Sequence, residues 1–310
     1  MSPVHVDRPL SQYVLTYENK QLIADKLAPV VLVDNQSDSY FVKPKGNAMK
    51  YVGQPTIGLT SDIPEVESGF TLAKFATQDY GFLSKVALSL DANADAPLNL
   101  RQDAAMDAAA LLWLAREVRV ASLLTTTANY AAANSTTVGS KWDIDANDPI
   151  VQIEAMRANL FPSPNGRLVA FMGYAVWAAV KNNAKVLSRV NGGATTGSPA
   201  QVSRQKFAEL IEVDEVVVGE AYAIDANGAQ TRVWGKDFGM VYVANSPSTR
   251  AMTFSQTFRW NKPGPGGIAA SRWIDPSKGI MGVERSKIAH SDAEVIAASD
   301  AGILMKAAVS

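Results

Sequence analysis

The sequence predicts an α+β fold with an insertion, and three observations carry that prediction. The first is one long stretch of strong helix formers, Asn99 to about Thr125, with no Gly or Pro inside it. The second is strand-type material ahead of that stretch, where aromatic and β-branched residues recur in short runs from Ser39 to Val52 and from Gly69 to Leu90. The third is a mixed helix and strand block in the middle, followed by a return to strands and turns between Pro247 and Ser310.

Pro97 closes off what precedes the long helix, and Asn99 is placed to cap it. Roughly 25 residues at about 1.5 Å each make a rod of roughly 37 Å, twice the ordinary length of a globular helix. Asp103 and Asp107 lie near its N-terminal end and Arg116 and Arg119 toward the other, so the charges complement the macrodipole. Leu111, Leu114, Val118 and Ala121 follow the spacing of one buried face, which Trp113 and Leu124 broaden. A rod of this kind is a backbone for other layers.

Residues 1–35 hold Pro3, Pro9 and Pro29 around a short amphipathic piece, Asn19 to Leu27, with Leu22, Ile23 and Leu27 on one side. This arm has little core of its own and packs on the body or on a neighbouring copy. Tyr40, Phe41 and Val42, then Phe70, Leu72, Phe75, Tyr80, Phe82 and Val86, read as the strands of a long hairpin. Gly53 to Ser68 between them is a turn-rich crossing. A two-stranded ribbon is marginal alone and needs a covering surface.

After the long helix, Thr125 to Lys141 reads as a loop, and Asp148 to Asn159 as a helix with Pro149 first and Ile150, Ile153 and Met156 on one face. Arg167 to Gly173 reads as a buried strand and Tyr174 to Val190 as a helix, with Trp177 on its apolar face. Ser203 caps a helix bearing Phe207, Leu210 and Ile211, and Val216 to Val218 is a strand. Asn227-Gly228 marks a hairpin turn, and Met240 to Val243 a further strand. Beyond the irregular loop Asn261 to Gly267, β segments are expected at Arg272 to Ile274, Val283 to Ala289, Ala293 to Ala297 and Ile303 to Ala308.

Composition narrows the function. With 310 residues and 47% apolar content the chain supports one large domain or two smaller ones. Twenty-nine basic against 30 acidic residues leave no basic surplus for gripping nucleic acid, although a protein that merely encloses it would look the same. The absence of cysteine removes disulfides, thiolate metal sites and cysteine nucleophiles. No apolar window is long enough for a membrane span, and Met1 to Arg8 lacks the features of a signal peptide, so a soluble chain is expected.

Catalytic, cofactor and metal constellations are not expected. The two histidines, His5 and His290, read as surface or packing residues. Asp143, Asp145 and Asp148 imitate a calcium loop but lack its Gly and distal Glu, which leaves a solvated turn. Gly192 to Ser198 fails as a phosphate loop because no Lys follows its last glycine. Glu209, Glu212, Asp214 and Glu215 read as a solvated rim, and Trp113 and Trp177 as core. Lys43, Lys45, Lys50, Lys74 and Lys85 run along the ribbon, where they reach acids of another copy or keep an exposed ribbon soluble.

The order of arm, ribbon, long helix, α/β module and returning strands resembles the major capsid proteins of tailed bacteriophages, the Hong Kong 97-like fold. The carrying motifs are Leu22-Ile23-Ala24-Asp25-Lys26-Leu27-Ala28-Pro29-Val30 in the arm, Tyr80-Gly81, and Asn93-Ala94-Asp95-Ala96-Pro97 before the long helix. With them go Arg116-Glu117 and Arg119-Val120-Ala121 within the helix, Ala128-Asn129-Tyr130 after it, Val218-Gly219-Glu220-Ala221 and Val233-Trp234-Gly235-Lys236.

The resemblance implies an N-arm at 1–35, an E-loop at 36–90, a P-domain with a spine helix at 91–165, an A-domain at 166–245 and returning P-domain strands at 246–310. It implies a head protein that self-assembles into hexamers and pentamers, forming an icosahedral or prolate shell around double-stranded DNA without sequence-specific binding. Portal protein and separate scaffolding and decoration proteins are the implied partners, with no membrane involved. The shell is assembled in the host bacterial cytoplasm and the protein resides in the virion. An encapsulin-like compartment shell shares the fold and stays open as an alternative, as does a soluble α+β enzyme.

Overall fold

The computed structural model describes residues 21–42, 56–57, 63, 71–93, 99–163, 165–190, 202–224 and 227–310. His5, Lys43, Lys45, Lys50, the 192–198 segment and most of the expected crossing lie outside the described residues.

The first elements are α1 (Ala24–Leu27), β1 (Val30–Val33), β2 (Ser37–Val42), β3 (Thr71–Ala76) and β4 (Gln78–Ala87), then α2 (Leu88–Ala92) and the spine helix α3 (Leu100–Thr125). The middle holds β5 (Ser135–Thr137), α4 (Pro149–Arg157), β6 (Gly166–Gly173), α5 (Tyr174–Asn182), α6 (Ala184–Val190) and α7 (Arg204–Leu210). There follow β7 (Glu215–Gly219), β8 (Tyr222–Ile224), β9 (Gln230–Arg232), β10 (Phe238–Ala244), β11 (Ser255–Trp260), β12 (Ile268–Asp275), β13 (Val283–Ile296) and β14 (Gly302–Lys306).

Two five-stranded sheets organise these elements. In the central sheet β13 is the long middle strand. Asp292 pairs with Gln78 of β4 on one side and Arg259 of β11 on the other. So β11 and β12 lie end to end along one flank of β13, separated by the 261–267 excursion, and β4 lies along the opposite flank. β1 adds to β11 in parallel and closes the sheet on that side. The module sheet runs β5-β14-β10-β6-β7, so strands at 135–137 and 302–306 complete the 166–245 block.

The module sheet is buried on both faces, which explains its continuous apolar strands. One face carries Leu168, Ala170, Met172, Phe238, Met240 and Ile303 against Ile150 and Ile153 of α4, Val176 and Trp177 of α5, and Phe207 of α7. The other carries Val169, Phe171, Val241 and Leu304 against Val120 and Leu124 of the spine and Ile23 and Leu27 of the arm. The spine's first half packs Ala108, Ala109 and Leu112 on Ile268, Ala270 and Ile288 of the central sheet.

Several elements depart from the sequence reading. The spine's buried stripe is Ala105, Ala108, Ala109, Leu112, Arg116, Glu117, Val120, Ala121 and Leu124, whereas Leu111 and Val118 are 53% and 41% exposed. Small alanines let the sheet approach closely, and two charged residues, Arg116 and Glu117, face inward, so the buried face is not the most apolar one. Arg116 and Arg119 do not serve the macrodipole either; the cation at the C-terminal end is Lys306, whose Nζ donates to Thr125 O at 2.9 Å. Asn129 and Tyr130 side chains donate to the Leu123 and Leu124 carbonyls at 2.7 Å each, completing that end.

The long hairpin breaks at Thr77: β3 pairs with β2, but β4 leaves the ribbon and joins β13. The helix expected over 174–190 is two helices, split at Asn183, whose extended backbone ends α5. Its buried side chain accepts from Lys185 N at 2.9 Å and donates to Trp142 O at 3.1 Å. Segments 283–289 and 293–297 form one strand, β13. Residues 23–28 of the arm are held by this chain's own body, where Ile23, Ala24, Leu27 and Ala28 are buried. Asn99 caps the spine by accepting from Gln102 N at 3.3 Å, as expected, and Asp148 caps α4.

Candidate assembly site

The described residues bring no group of three or more His, Cys, Asp or Glu together in a way that would hold a metal ion. They build instead a buried polar joint where arm, spine, central sheet and module meet.

Arg116 is its hub. Its guanidinium donates to Asp25 Oδ1 at 2.5 Å, to Ala28 O at 3.0 Å and to Thr257 Oγ1 at 3.2 Å. The pair is lopsided, because the Arg116 side chain is 2% exposed and that of Asp25 is 76% exposed. The buried counter-charge is Asp292, 3.8 Å from Arg116 Nε and gripped bidentately by Arg259 at 2.7 Å twice. Burial raises the Asp292 pKa, but the Arg259 hydrogen bonds and charge, with Arg116, outweigh it and hold the carboxyl below its ordinary value.

His290 stacks on Trp113 with ring centres 5.6 Å apart, and its Nε2 lies 3.3 Å from Asp292 Oδ2 without hydrogen-bond geometry. Burial lowers its pKa to about 3; Asp292 opposes this while Arg259, Arg119 and Arg116 reinforce it, so the imidazole is neutral. One step along β13, Glu294 accepts from Arg119 Nε at 3.1 Å and Nη2 at 2.8 Å, and that guanidinium lies 3.6 Å over the Tyr80 ring.

Glu117 faces the other way and clamps the arm. Its two oxygens accept from Ile23 N at 2.9 Å and Ala24 N at 2.8 Å, and the Trp234 indole donates to it at 2.6 Å. Burial raises its pKa, against the lowering effect of those three donors and Arg116. A buried carboxylate satisfied by two arm amides and one indole fixes where the arm leaves the body. Trp234 reaches Glu117 by lying over Gly219, where any Cβ would fall inside its ring.

The residues singled out from sequence go to separate places. Asp143 accepts from Ser310 N, Asp145 from Ala184 N, and Asp148 caps α4 and pairs with Arg189. Glu212 pairs with Arg157 and Glu215 with Lys26 and Arg167, while Asp214 accepts from Leu168 N at 2.6 Å. Trp177 is core, whereas Trp113 is half-buried beside the joint. The sequence reading missed Arg259, Asp292 and Glu294 altogether. The available signal was the period-two run His290, Asp292, Glu294 on a strand, which aims three titratable residues at one face.

The family described as "Phage major capsid protein E" matches residues 121–256. The major capsid protein of Pseudomonas phage JBD67 is 27% identical over 315 residues, spanning 99% of this chain and 98% of that one. A crystal structure of a phage-related protein from Bordetella bronchiseptica RB50 superposes with a TM-score of 0.75 at 19% identity, covering 99% and 98% of the two chains. The capsid structure of the cyanophage P-SCSP1u superposes at 0.58 with 11% identity, covering 95% and 90%. The fold is therefore the Hong Kong 97-like capsid fold. Along its full length the chain is similar to a phage major capsid protein.

Proposed function

We propose that this chain is the shell-forming subunit of a phage head, assembling into hexamers and pentamers that close into an icosahedral or prolate shell around double-stranded DNA. The observation that carries the reading is the relationship to a phage major capsid protein along 99% of the chain. The division into N-arm at 1–35, E-loop at 36–90, P-domain at 91–165 and 246–310, and A-domain at 166–245 belongs to the same reading. It is supported by a ribbon that exposes Leu72 and by a clamp that fixes the arm's exit. Near-neutral net charge suits a lining that encloses DNA without gripping it. Portal, scaffolding and decoration proteins are the partners such a head requires, with assembly in the host cytoplasm. The reading assigns the chain no catalysis.

Negative-stain electron microscopy beside sedimentation of the purified protein is the test. Closed shells, or rings of five or six, are the expected result; a uniform small species that persists when the neighbouring phage proteins are added overturns it. Because encapsulin-like shells share the fold, the contents decide between the two: nuclease-protected DNA supports the phage head, and an enclosed enzyme the compartment.

A further inference from the structure

Among the described residues the central sheet ends on β4, a ten-residue strand whose only ladder is with β13. In an antiparallel pair alternate residues turn both backbone groups away from the partner, so the outer flank of β4 presents a row of N–H and C=O groups with no ladder partner among the described residues. Natural sheets shorten, charge or cover such an edge. Here its centre carries Phe82 and Leu83, 42% and 48% exposed.

Its two charges are also unanswered. Asp79 and Lys85 lie on the same face, that of Gly81 and Leu83, and neither has an ion pair among the described residues. Lys85 stands directly opposite Arg285, a like charge, and Arg285 is already paired with Asp275 at 2.9 Å.

We infer that β4 pairs with β4 of a second copy across a two-fold axis through Phe82, continuing the central sheet from one subunit into the next. An isologous antiparallel pairing must match outward-turned residues with outward-turned residues, so residue numbers across the dyad sum to an even value. Centring on Phe82 sets Asp79 opposite Lys85 of the second copy, twice over. Moving the dyad to Gly81 sets Asp79 against Leu83, and moving it to Leu83 sets Lys85 against Gly81, so neighbouring registers lose both ion pairs. The register through Phe82 also gives each Lys85 the acid it lacks and lets Leu83 lie over Gly81, which has no side chain to meet it. The inference rests on the reading of the chain as a shell subunit and names one contact within it.

The chain contains no cysteine, so in Phe82→Cys any disulfide joins position 82 to position 82. The experiment oxidises this variant, or treats it with a short bismaleimide, and reads dimer on a non-reducing gel. Leu32→Cys, equally exposed but on β1, is the control. Rapid cross-linking of Phe82→Cys alone is the expected result. Adding Asp79→Lys or Lys85→Asp sets like charges opposite each other twice and lowers the yield about tenfold, and the double reversal restores it. Cross-linking no faster than the control, or a double reversal that fails to restore it, overturns the contact. Electron microscopy of the same samples separates the two ideas: shells without the cross-link leave the shell reading standing and remove only this interface.

Discussion

The module and the joint beneath it are held by different chemistry. On the module's outer face, hydrocarbon from four helices meets hydrocarbon from the sheet, with Trp142, Phe207 and Phe238 fully buried. At the joint, Arg116, Glu117, Arg259 and Asp292 are equally buried but held by directed hydrogen bonds and ion pairs. An apolar core tolerates small changes of side chain and angle, whereas a bidentate ion pair fixes both distance and orientation. The module needs to be stable, and a joint from which arm and ribbon leave the body needs to hold an angle. The contrast is a claim about how each region fails.

The largest expected effect is Asp292→Ala, which leaves Arg259 buried without its counter-charge and Arg116 with only the exposed Asp25. Removing one partner of a buried pair costs about 3–5 kcal/mol, and urea unfolding of the unassembled subunit would read it as a lower midpoint. A loss under about 1 kcal/mol would mean that water reaches the joint and that the contrast with the module is false.

Next comes Gly219→Ala, which tests whether the two regions are coupled. The added Cβ falls inside the ring of Trp234, the residue that donates to Glu117. Overpacking of this kind costs about 1–3 kcal/mol. Because the displaced ring releases one of the clamp's donors, the arm should become more protease-sensitive around residues 21–28 while α4 to α7 keep their hydrogen-exchange protection. Equal loosening of both would show that arm and module form one cooperative unit.

How much of this was legible follows from the same contrast. The spine's bounds, its Asn99 cap, Pro149 as the first residue of α4, the Ser203 cap and strands β6 and β7 came from propensity and periodicity, which are local. The joint did not, because its hydrogen-bonded partners lie 33 to 175 residues apart and a charge in an amphipathic pattern is ordinarily read as solvent-facing. The Glu117 to arm contact had an indirect trace: the arm run, Arg116-Glu117 and Val233-Trp234 all stood out as family motifs, and the structure shows that they touch. Nothing local marks β4 as a sheet strand rather than a ribbon strand, since exposure and alternation look alike in both.

Protonation gives a smaller, continuous probe of the joint. His290 has a folded pKa of about 3 against an ordinary 6.5, so the unfolded chain binds a proton first as pH falls. Its contribution is fully present above about pH 6.5 and declines below it, by at most about 1.4 kcal/mol per pH unit. Glu117 has the opposite sign: its raised pKa makes stability fall as pH rises from the ordinary carboxylate range through its folded value. His290→Phe keeps a ring on Trp113 and should flatten the profile between pH 6.5 and about 5 while leaving the Glu117 component. A wild-type profile already flat over that interval would place His290 in contact with solvent.

The smallest effect belongs to the module's rim, and it separates burial from charge as the cause of the contrast. Arg204 donates to Glu220 at 2.6 Å, shorter than either 2.7 Å bond from Arg259 to Asp292, yet their side chains are 49% and 38% exposed. Water and salt screen such a pair, so Arg204→Ala should cost no more than about 1 kcal/mol. Whatever it does cost should shrink at high salt, because exposed charges are screened within about a Debye length while buried ones are not. Asp292→Ala should therefore keep nearly its whole effect when the unfolding series is repeated at about 1 M salt, where the screening length is about 3 Å. If the two variants lose their effects in parallel, the joint is a surface network and its rigidity must come from the surrounding hydrocarbon. If only Arg204→Ala does, desolvation turns the same chemical pair from a rim contact into the element that sets the arm's direction.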